Sequence, residues 1–283
     1  GRFTYGFDKR YFIEYNFGYN GSERFHKSHR WGFFPSAGLA WMASNEKWFK
    51  PFTKVVNNLK LRYSYGLVGN DNIGSSSNRF YYLSEMNMSS SSKSASFGET
   101  RNVSYSGVDV LRYANEAITW EKSYKSNYAL ELGLFKKLDI IAEYFTEHRT
   151  DIFMQRADIP NTMGLQAAVY GNIGEARAKG VDIQADYKQA WASGLWASAR
   201  ANFTYSTSKY DVYEEPTYPE SYRQHAGRSI KQTWGYIAER LFIDDEDAAN
   251  SPSQAAFGSQ YGGGDIKYTD VNGDGVITNA DMV

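Results

Sequence analysis

Apolar and polar residues alternate along this chain with a period of two. From 10 to 42 it runs RYFIEYNFGYNGSERFHKSHRWGFFPSAGLAWM, with Tyr11, Ile13, Tyr15, Phe17 and Tyr19 on odd positions and Glu14, Asn16 and Gly18 on even ones. That period belongs to a β-strand with two unlike faces. After a charged loop at 21–30, a second run puts Trp31, Phe33, Ala37, Leu39 and Trp41 on one face and Gly32, Ser36, Gly38 and Ala40 on the other. A shorter run at 2–7 joins the first through the polar turn 8–10, which predicts a hairpin.

The unit recurs. Leu59, Leu61, Tyr63 and Tyr65 alternate with Lys60, Arg62, Ser64 and Gly66. A very long strand is predicted over 118–135, with Tyr124, Tyr128, Leu130, Leu132 and Leu134 opposing Lys125, Asn127, Glu131 and Gly133. Lys136 and Lys137 turn it into 138–152, where Asp139, Glu143 and Glu147 share one face and Leu138, Ile140, Ala142 and Tyr144 the other. Val181, Ile183, Ala185 and Tyr187 then face away from Asp182, Gln184 and Asp186. The last run sets Leu195, Ala197, Ala199, Ala201, Phe203 and Tyr205 against Trp196, Ser198, Arg200, Asn202 and Thr204.

The connections alternate in length. Short or moderate ones at 8–10, 44–57, 136–137 and 188–194 are interleaved with long polar ones at 21–30, 67–117, 158–172 and from 207 onward. The loop at 67–117 holds a Ser-rich tract, 89–96, too poor in apolar surface to pack, and is expected to be mobile. Long strands with short turns at one end and long loops at the other are what an outer-membrane barrel needs. The predicted fold class is therefore all-β: a section of an antiparallel transmembrane β-barrel, about eight or nine strands. Its aromatic face would meet lipid, with Tyr11, Trp31, Trp41 and Tyr65 at the interface and Glu14, Lys60, Arg62, Glu131, Asp182 and Arg200 lining a wet interior. A large soluble sandwich with the aromatic face as its dry core is the alternative.

Composition agrees with half-buried strands: aromatics are 17% of 283 residues, yet mean hydropathy is -0.58. A net charge of -1 gives no global field, so no nucleic-acid partner is expected. Cysteine is absent, which removes disulfides and thiolate sites. No run of about 18 apolar residues predicts a membrane helix. The first residues lack the layout of a signal peptide and begin within a strand pattern, so the sequence is expected to be a piece of a longer protein.

Seven segments together resemble the SusC/RagA family of TonB-dependent outer-membrane transporters: DKRYFIEYNFGYNGSERF, RWGFFPSAGLAWMAS, NNLKLRYSYGLVGND, ITWEKSYKSNYALELGLF, NIGEARAKGVDI, TWGYIAERLF and GDIKYTDVNGDGVI. The resemblance covers nearly the whole chain and implies a barrel of about 22 strands with an N-terminal plug. This chain would be a partial barrel domain over 1–283, with plug, TonB box and last strands missing. The resemblance also implies a Gram-negative outer-membrane location, a SusD-like surface lipoprotein and the TonB complex as partners, membrane lipid around the wall, and an oligosaccharide or peptide as cargo. The different-class alternative is a soluble secreted carbohydrate-binding or adhesion module with a dockerin-like calcium loop. A passive porin is a third option. Neither the pattern nor the resemblance points to an enzyme.

One motif carries readable chemistry, within a predicted external loop at 265–283. DVNGDGVITNAD at 270–281 fits a twelve-residue calcium loop, with Asp270, Asn272 and Asp274 at positions 1, 3 and 5 and Gly275 at 6. Val276 would offer its carbonyl, Thr278 a water, and Asp281 stands where Glu is usual, shortening the reach of the twelfth ligand. Calcium, in preference to magnesium, is the expected cofactor, with Ile277 anchoring the loop. Gly262, Gly263 and Gly264 upstream make a helix-loop-helix sensor a poor fit. The alternative is an Asp/Gly-rich turn without metal. His26 and His29 are expected to be solvated, His148 and His225 isolated, and the acids Glu239, Asp244, Asp245, Glu246 and Asp247 a solvated loop. Trp120 and Tyr213, though able to stack on sugars, are expected to be structural.

Overall fold

The alternating runs become neighbours in one antiparallel sheet. In chain order the strands are β1 (Arg2–Phe7), β2 (Tyr11–Gly21), β3 (Trp31–Met42), β4 (Val56–Asn70), β5 (Glu85–Phe97), β6 (Val103–Arg112), β7 (Glu121–Leu134), β8 (Leu138–Gln155), β9 (Tyr170–Ala190) and β10 (Trp196–Val212). Eight of them pair in the order β1-β2-β3-β4-β7-β8-β9-β10, while β5 and β6 form a separate hairpin. The computed structural model describes residues 1–75 and 78–283, so positions 76 and 77 of the predicted loop 67–117 lie outside it. Residues 1–214 and 215–283 make two units.

Two of the short turns are tight for the same reason. Asp8 and Lys9 have φ of 50° and 53°, and Phe135 and Lys136 have 54° and 56°. Positive φ at both central residues is the backbone of a type I′ turn, whose twist matches that of the strands it joins. All four short turns lie at one end of the sheet, and the loops between β2 and β3, β4 and β7, and β8 and β9 lie at the other.

The structure corrects several predicted boundaries. The Ser tract 89–96 lies in β5, paired with β6 through Ser90↔Gly107 and Ser96↔Ser104 with register shifts between them, so backbone pairing orders what side-chain burial could not. β9 begins at Tyr170, inside the predicted loop 158–172, and β10 continues to Val212, past the predicted end at 207. Polar ladder residues hid both extensions. Ile118 lies outside β7 and is buried at 1% exposure.

The main buried core sits at the long-loop end. Phe25, Ile73, Tyr81, Ile118 and Trp120 pack together, with Phe34, Phe153 and Tyr170 of the sheet against them. The rings of Phe153 and Tyr170 stack at 5.2 Å, and Phe34 meets Trp120 edge-on at 5.1 Å. Phe34 can lie across β4 because Gly69 has no side chain; a Cβ there would come within 2.0 Å of the ring. Polar bonds fasten the same loops. Trp120 Nε1 donates to the Arg30 carbonyl, Arg24 to the carbonyls of Asp71 and Ile73, and Asn172 Nδ2 to those of Thr119 and Asp151.

At the short-turn end the connection after β3 contains two 3-10 turns, Ala43–Asn45 and Lys47–Phe52, and between them Glu46 is buried. Its carboxylate accepts from Tyr11 Oη at 2.6 Å, Arg10 Nη1 at 2.9 Å and Trp41 Nε1 at 3.2 Å. One side chain thereby ties the first turn to the ends of β2 and β3.

The second unit holds β11 (Ala238–Leu241), paired antiparallel with β12 (Ile266–Tyr268), and a short helix α1 (Asp245–Ala249). Of the acids predicted as a solvated loop, Glu239 lies in β11, and Asp244 to Asp247 form the cap and first turn of α1. Asp244 caps it by accepting from Asp247 N at 2.8 Å, and its acids sit at the positive end of the helix. Asp247 pairs with Arg240 and accepts from Ile243 N, and these bonds hold its carboxyl well below the usual range.

Hydrogen bonds from Tyr11, Trp41 and Arg10 likewise depress the Glu46 carboxyl. A depressed acid stabilises the fold above its unfolded pKa, and that stabilisation is lost as pH falls through its folded one. Glu46→Gln is therefore expected to lower the thermal unfolding temperature of the detergent-solubilised protein at neutral pH. The gap from the parent should close below about pH 4; an equal gap at pH 7 and pH 3 would contradict the ionic role of Glu46.

Candidate functional site

The functional surface is the sheet itself, which has two unlike faces. One row of paired residues crosses all eight strands: Tyr5, Ile13, Leu39, Tyr63, Tyr128, Tyr144, Val181 and Tyr205. The adjacent row on that face is Phe7, Tyr11, Trp41, Leu61, Leu130, Ala142, Ile183 and Phe203. Both are apolar throughout. Tyr5, Ile13, Tyr128 and Tyr205 are more than 40% exposed. No layer of protein covers this face among the described residues, so the dry core of a soluble sandwich is not what it forms.

The edge of the apolar band is oblique to the strands. On β10 the residues beyond Tyr205 on this face are Thr207 and Lys209, but on β2 the same row enters at Ile13 and apolar residues continue to Tyr19. The edge thus slips by six residues, about 20 Å, over six strand-to-strand steps, about 29 Å. Strands inclined by about 35° to a flat apolar band have the tilt of a transmembrane barrel.

The opposite face is polar and cross-linked by charge. Arg62 on β4 lies 2.6 Å from Glu131 on β7 and 2.7 Å from Glu143 on β8, and Lys60 is 3.5 Å from Glu131. Asn127 donates to Glu143, Ser123 to Glu147, and Arg200 to Asp186. At the other edge Arg2 and Asn16 both donate to Glu14. The predicted interior residues Glu14, Lys60, Arg62, Glu131, Asp182 and Arg200 all fall on this face by register.

A wall apolar outside, polar inside and tilted to its apolar band is matched by what the chain is similar to. The model of the TonB dependent receptor-like β-barrel family matches residues 1–280. The chain belongs to that family. It is 30% identical to TonB-dependent receptor SusC of Bacteroides thetaiotaomicron over 190 residues, 66% of this chain and 18% of that protein. It is 27% identical to TonB-dependent receptor P39 of Formosa agariphila over 254 residues, 89% of this chain and 23% of that protein. Among solved structures, the RagAB peptide transporter has a chain similar in fold, with a TM-score of 0.66 and 21% identity over 98% of this chain and 28% of that one. The chain spans about a fifth to a quarter of the length of these curated relatives. Members of the family reside in the Gram-negative outer membrane, and the eight-stranded sheet, open at β1 and β10, is a partial barrel wall. The long-loop end is then the extracellular one.

The six metal-loop residues all lie in the second unit, in turns held by local hydrogen bonds. Asp270 accepts from the amides of Gly273, Asp274 and Gly275, and Asn272 donates to Asp274 at 3.0 Å. Asp274 Oδ1 accepts from Val276 N. Gly273 and Gly275 have φ of 76° and 83°, a reversal that favours glycine. Asp281 is fully buried, accepts from Val271 N and Thr278 N, and forms a capping box with Thr278. Ile277 is buried as expected. Among the described residues no three His, Asp or Glu side chains converge as a metal-ligand set.

Of the lesser candidates, Trp120 is part of the core at the mouth. His26 bonds Ser28, whereas His148 and His225, expected to be isolated, face Glu175 at 3.2 Å and Glu215 at 2.8 Å. The cluster under the loops was missed because its residues stand singly in polar segments; a lone large apolar side chain in such a loop is the signal that would have found it.

Outward and inward positions differ in what they tolerate. Leu130→Arg, on the apolar face, is expected to cost about 2–4 kcal/mol near the bilayer midplane and to deplete the folded, heat-modifiable receptor. Thr204→Arg, inward and paired with Asp182, is expected to leave it unchanged on the same gel.

Proposed function

We propose that the receptor containing this chain is an active importer of the outer membrane rather than an enzyme, energised through TonB and paired with a SusD-like surface lipoprotein. Its cargo is an oligosaccharide, with a peptide as the second class, since the RagAB peptide transporter shares the fold. The observation that carries this is the two-faced wall: two unbroken apolar rows outward, and an inward face carrying ion pairs such as Arg62 with Glu131 and Glu143. The chain supplies part of the wall and an outer mouth whose loops are held by a packed core. Further strands pairing with β1 and β10 would complete the ring that lipid requires.

The loop at 270–281 is proposed to bind calcium through Asp270, Asn272, Asp274, Val276, Thr278 and Asp281, stiffening an external loop. Its support is the gathering of Asp270, Asn272 and Asp274 in one glycine-containing turn, since a hard cation takes several oxygens from such a turn. Asp281 also staples the loop, so affinity is expected to be modest.

Uptake of defined oligosaccharides and of peptides by cells with and without the receptor tests the transport proposal. Uptake should require both the receptor and TonB, and uptake surviving loss of TonB would point to a passive pore. For the loop, calorimetry with calcium should give heat for the parent receptor and little for Asp270→Ala; equal heats would remove the site.

A further inference from the structure

Beyond the apolar band, at the extracellular end of β8, β9 and β10, the lipid-side face changes character. The row above Tyr144, Val181 and Tyr205 is Thr146, Lys179 and Thr207, and the next is His148, Arg177 and Lys209. These residues line a groove of about 790 Å³ whose wall also includes Tyr65 and Tyr124. By strand parity the cations point to the same side as Tyr144 and Tyr205, toward lipid and away from the lumen. Two carboxylates lie on the same face. Asp211 is 2.6 Å from Arg177 Nε and 3.7 Å from Lys209, and Glu175 faces His148. Lys179 is exposed and has no ion pair among the described residues.

Transport does not call for cations on the outside of the wall. Water alone would solvate a scattered few, but here three permanent cations and a histidine lie on adjacent strands in one groove, at the height where the acyl chains of the outer leaflet end. We propose that this groove binds the phosphorylated sugar headgroup of an outer-leaflet glycolipid. Lys179, Lys209 and Arg177 take the phosphate, and the rings of Tyr65 and Tyr124 lie beside the sugar. The apolar rows beneath continue directly into the region its acyl chains would occupy. Juxtamembrane lysines and arginines each strengthen attraction to anionic lipid. The inference rests on the membrane placement of the wall, not on the cargo, and is measured by lipid binding without uptake.

The test is native mass spectrometry of the intact receptor, purified in detergent and titrated with bisphosphorylated lipid A or with the same glycolipid after dephosphorylation. The parent should bind the phosphorylated form, and Lys179→Gln/Lys209→Gln should weaken that binding about tenfold or more. Lys50→Gln, at the short-turn end, should not change it, and the dephosphorylated lipid should bind parent and double variant equally weakly. Equal binding of phosphorylated lipid by parent and double variant would overturn the proposal. So would equal binding of both lipids by the parent, or full displacement of lipid by inorganic phosphate at millimolar concentration, which would make free phosphate the ligand. Heat-modifiable migration reports folding, and if the double variant fails it, Lys179→Gln alone is scored in the same titration.

Discussion

Everything in this chain depends on one constraint: in hydrocarbon a strand can leave no amide or carbonyl unpaired. The sheet answers it by pairing each strand with its sequence neighbour, broken only by the β5–β6 hairpin. Once pairing fixes the register, the period of two sends one set of side chains to lipid and the other to the lumen along every strand. A large apolar side chain gains roughly 1.5–3 kcal/mol on leaving water. The apolar face therefore cannot stay in water, and the fold and its placement in the membrane are one physical fact.

Tilt follows from the same register. Because strands cross the band at about 35°, the apolar stretch sits high on β2 and low on β10, and the extracellular ends of β8 to β10 carry Thr146, Lys179 and Lys209 where β2 still carries Phe17 and Tyr19. Inside, the ion pairs of Arg62, Glu131 and Glu143 are partly solvated and individually worth little. Their importance lies in giving the lumen a fixed polar lining across β4, β7 and β8. At the long-loop end, the core of Phe25, Ile73, Tyr81, Ile118 and Trp120 fastens the loops to one another and to the sheet.

The strand pattern was legible because lipid and lumen impose opposite demands on successive residues, and nothing in a long loop obscured that for Tyr11, Tyr63 or Tyr128. Residues 170–180 and 206–212 were not legible as strand, because once a strand rises past the membrane both of its faces meet water and the alternation fades. The Ser tract at 89–96 failed for a related reason: its order comes from backbone pairing with β6, which composition does not record. Glu46 was invisible in sequence because two of its three donors, Arg10 and Tyr11, lie far from it along the chain. The turn at Asp270 to Gly275 was legible because the residue spacing itself dictates its local hydrogen bonds.

The central claim, that strand parity decides lipid or lumen, is open to a direct measurement, and no cysteine of this chain competes with an introduced one. A bimane label on Leu130→Cys or on Asn127→Cys, in receptor reconstituted with phospholipid brominated along its acyl chains, reports which side each residue faces. Strong quenching at 130 and little at 127 is expected; equal quenching at both, or the reverse order, would contradict a two-faced membrane wall.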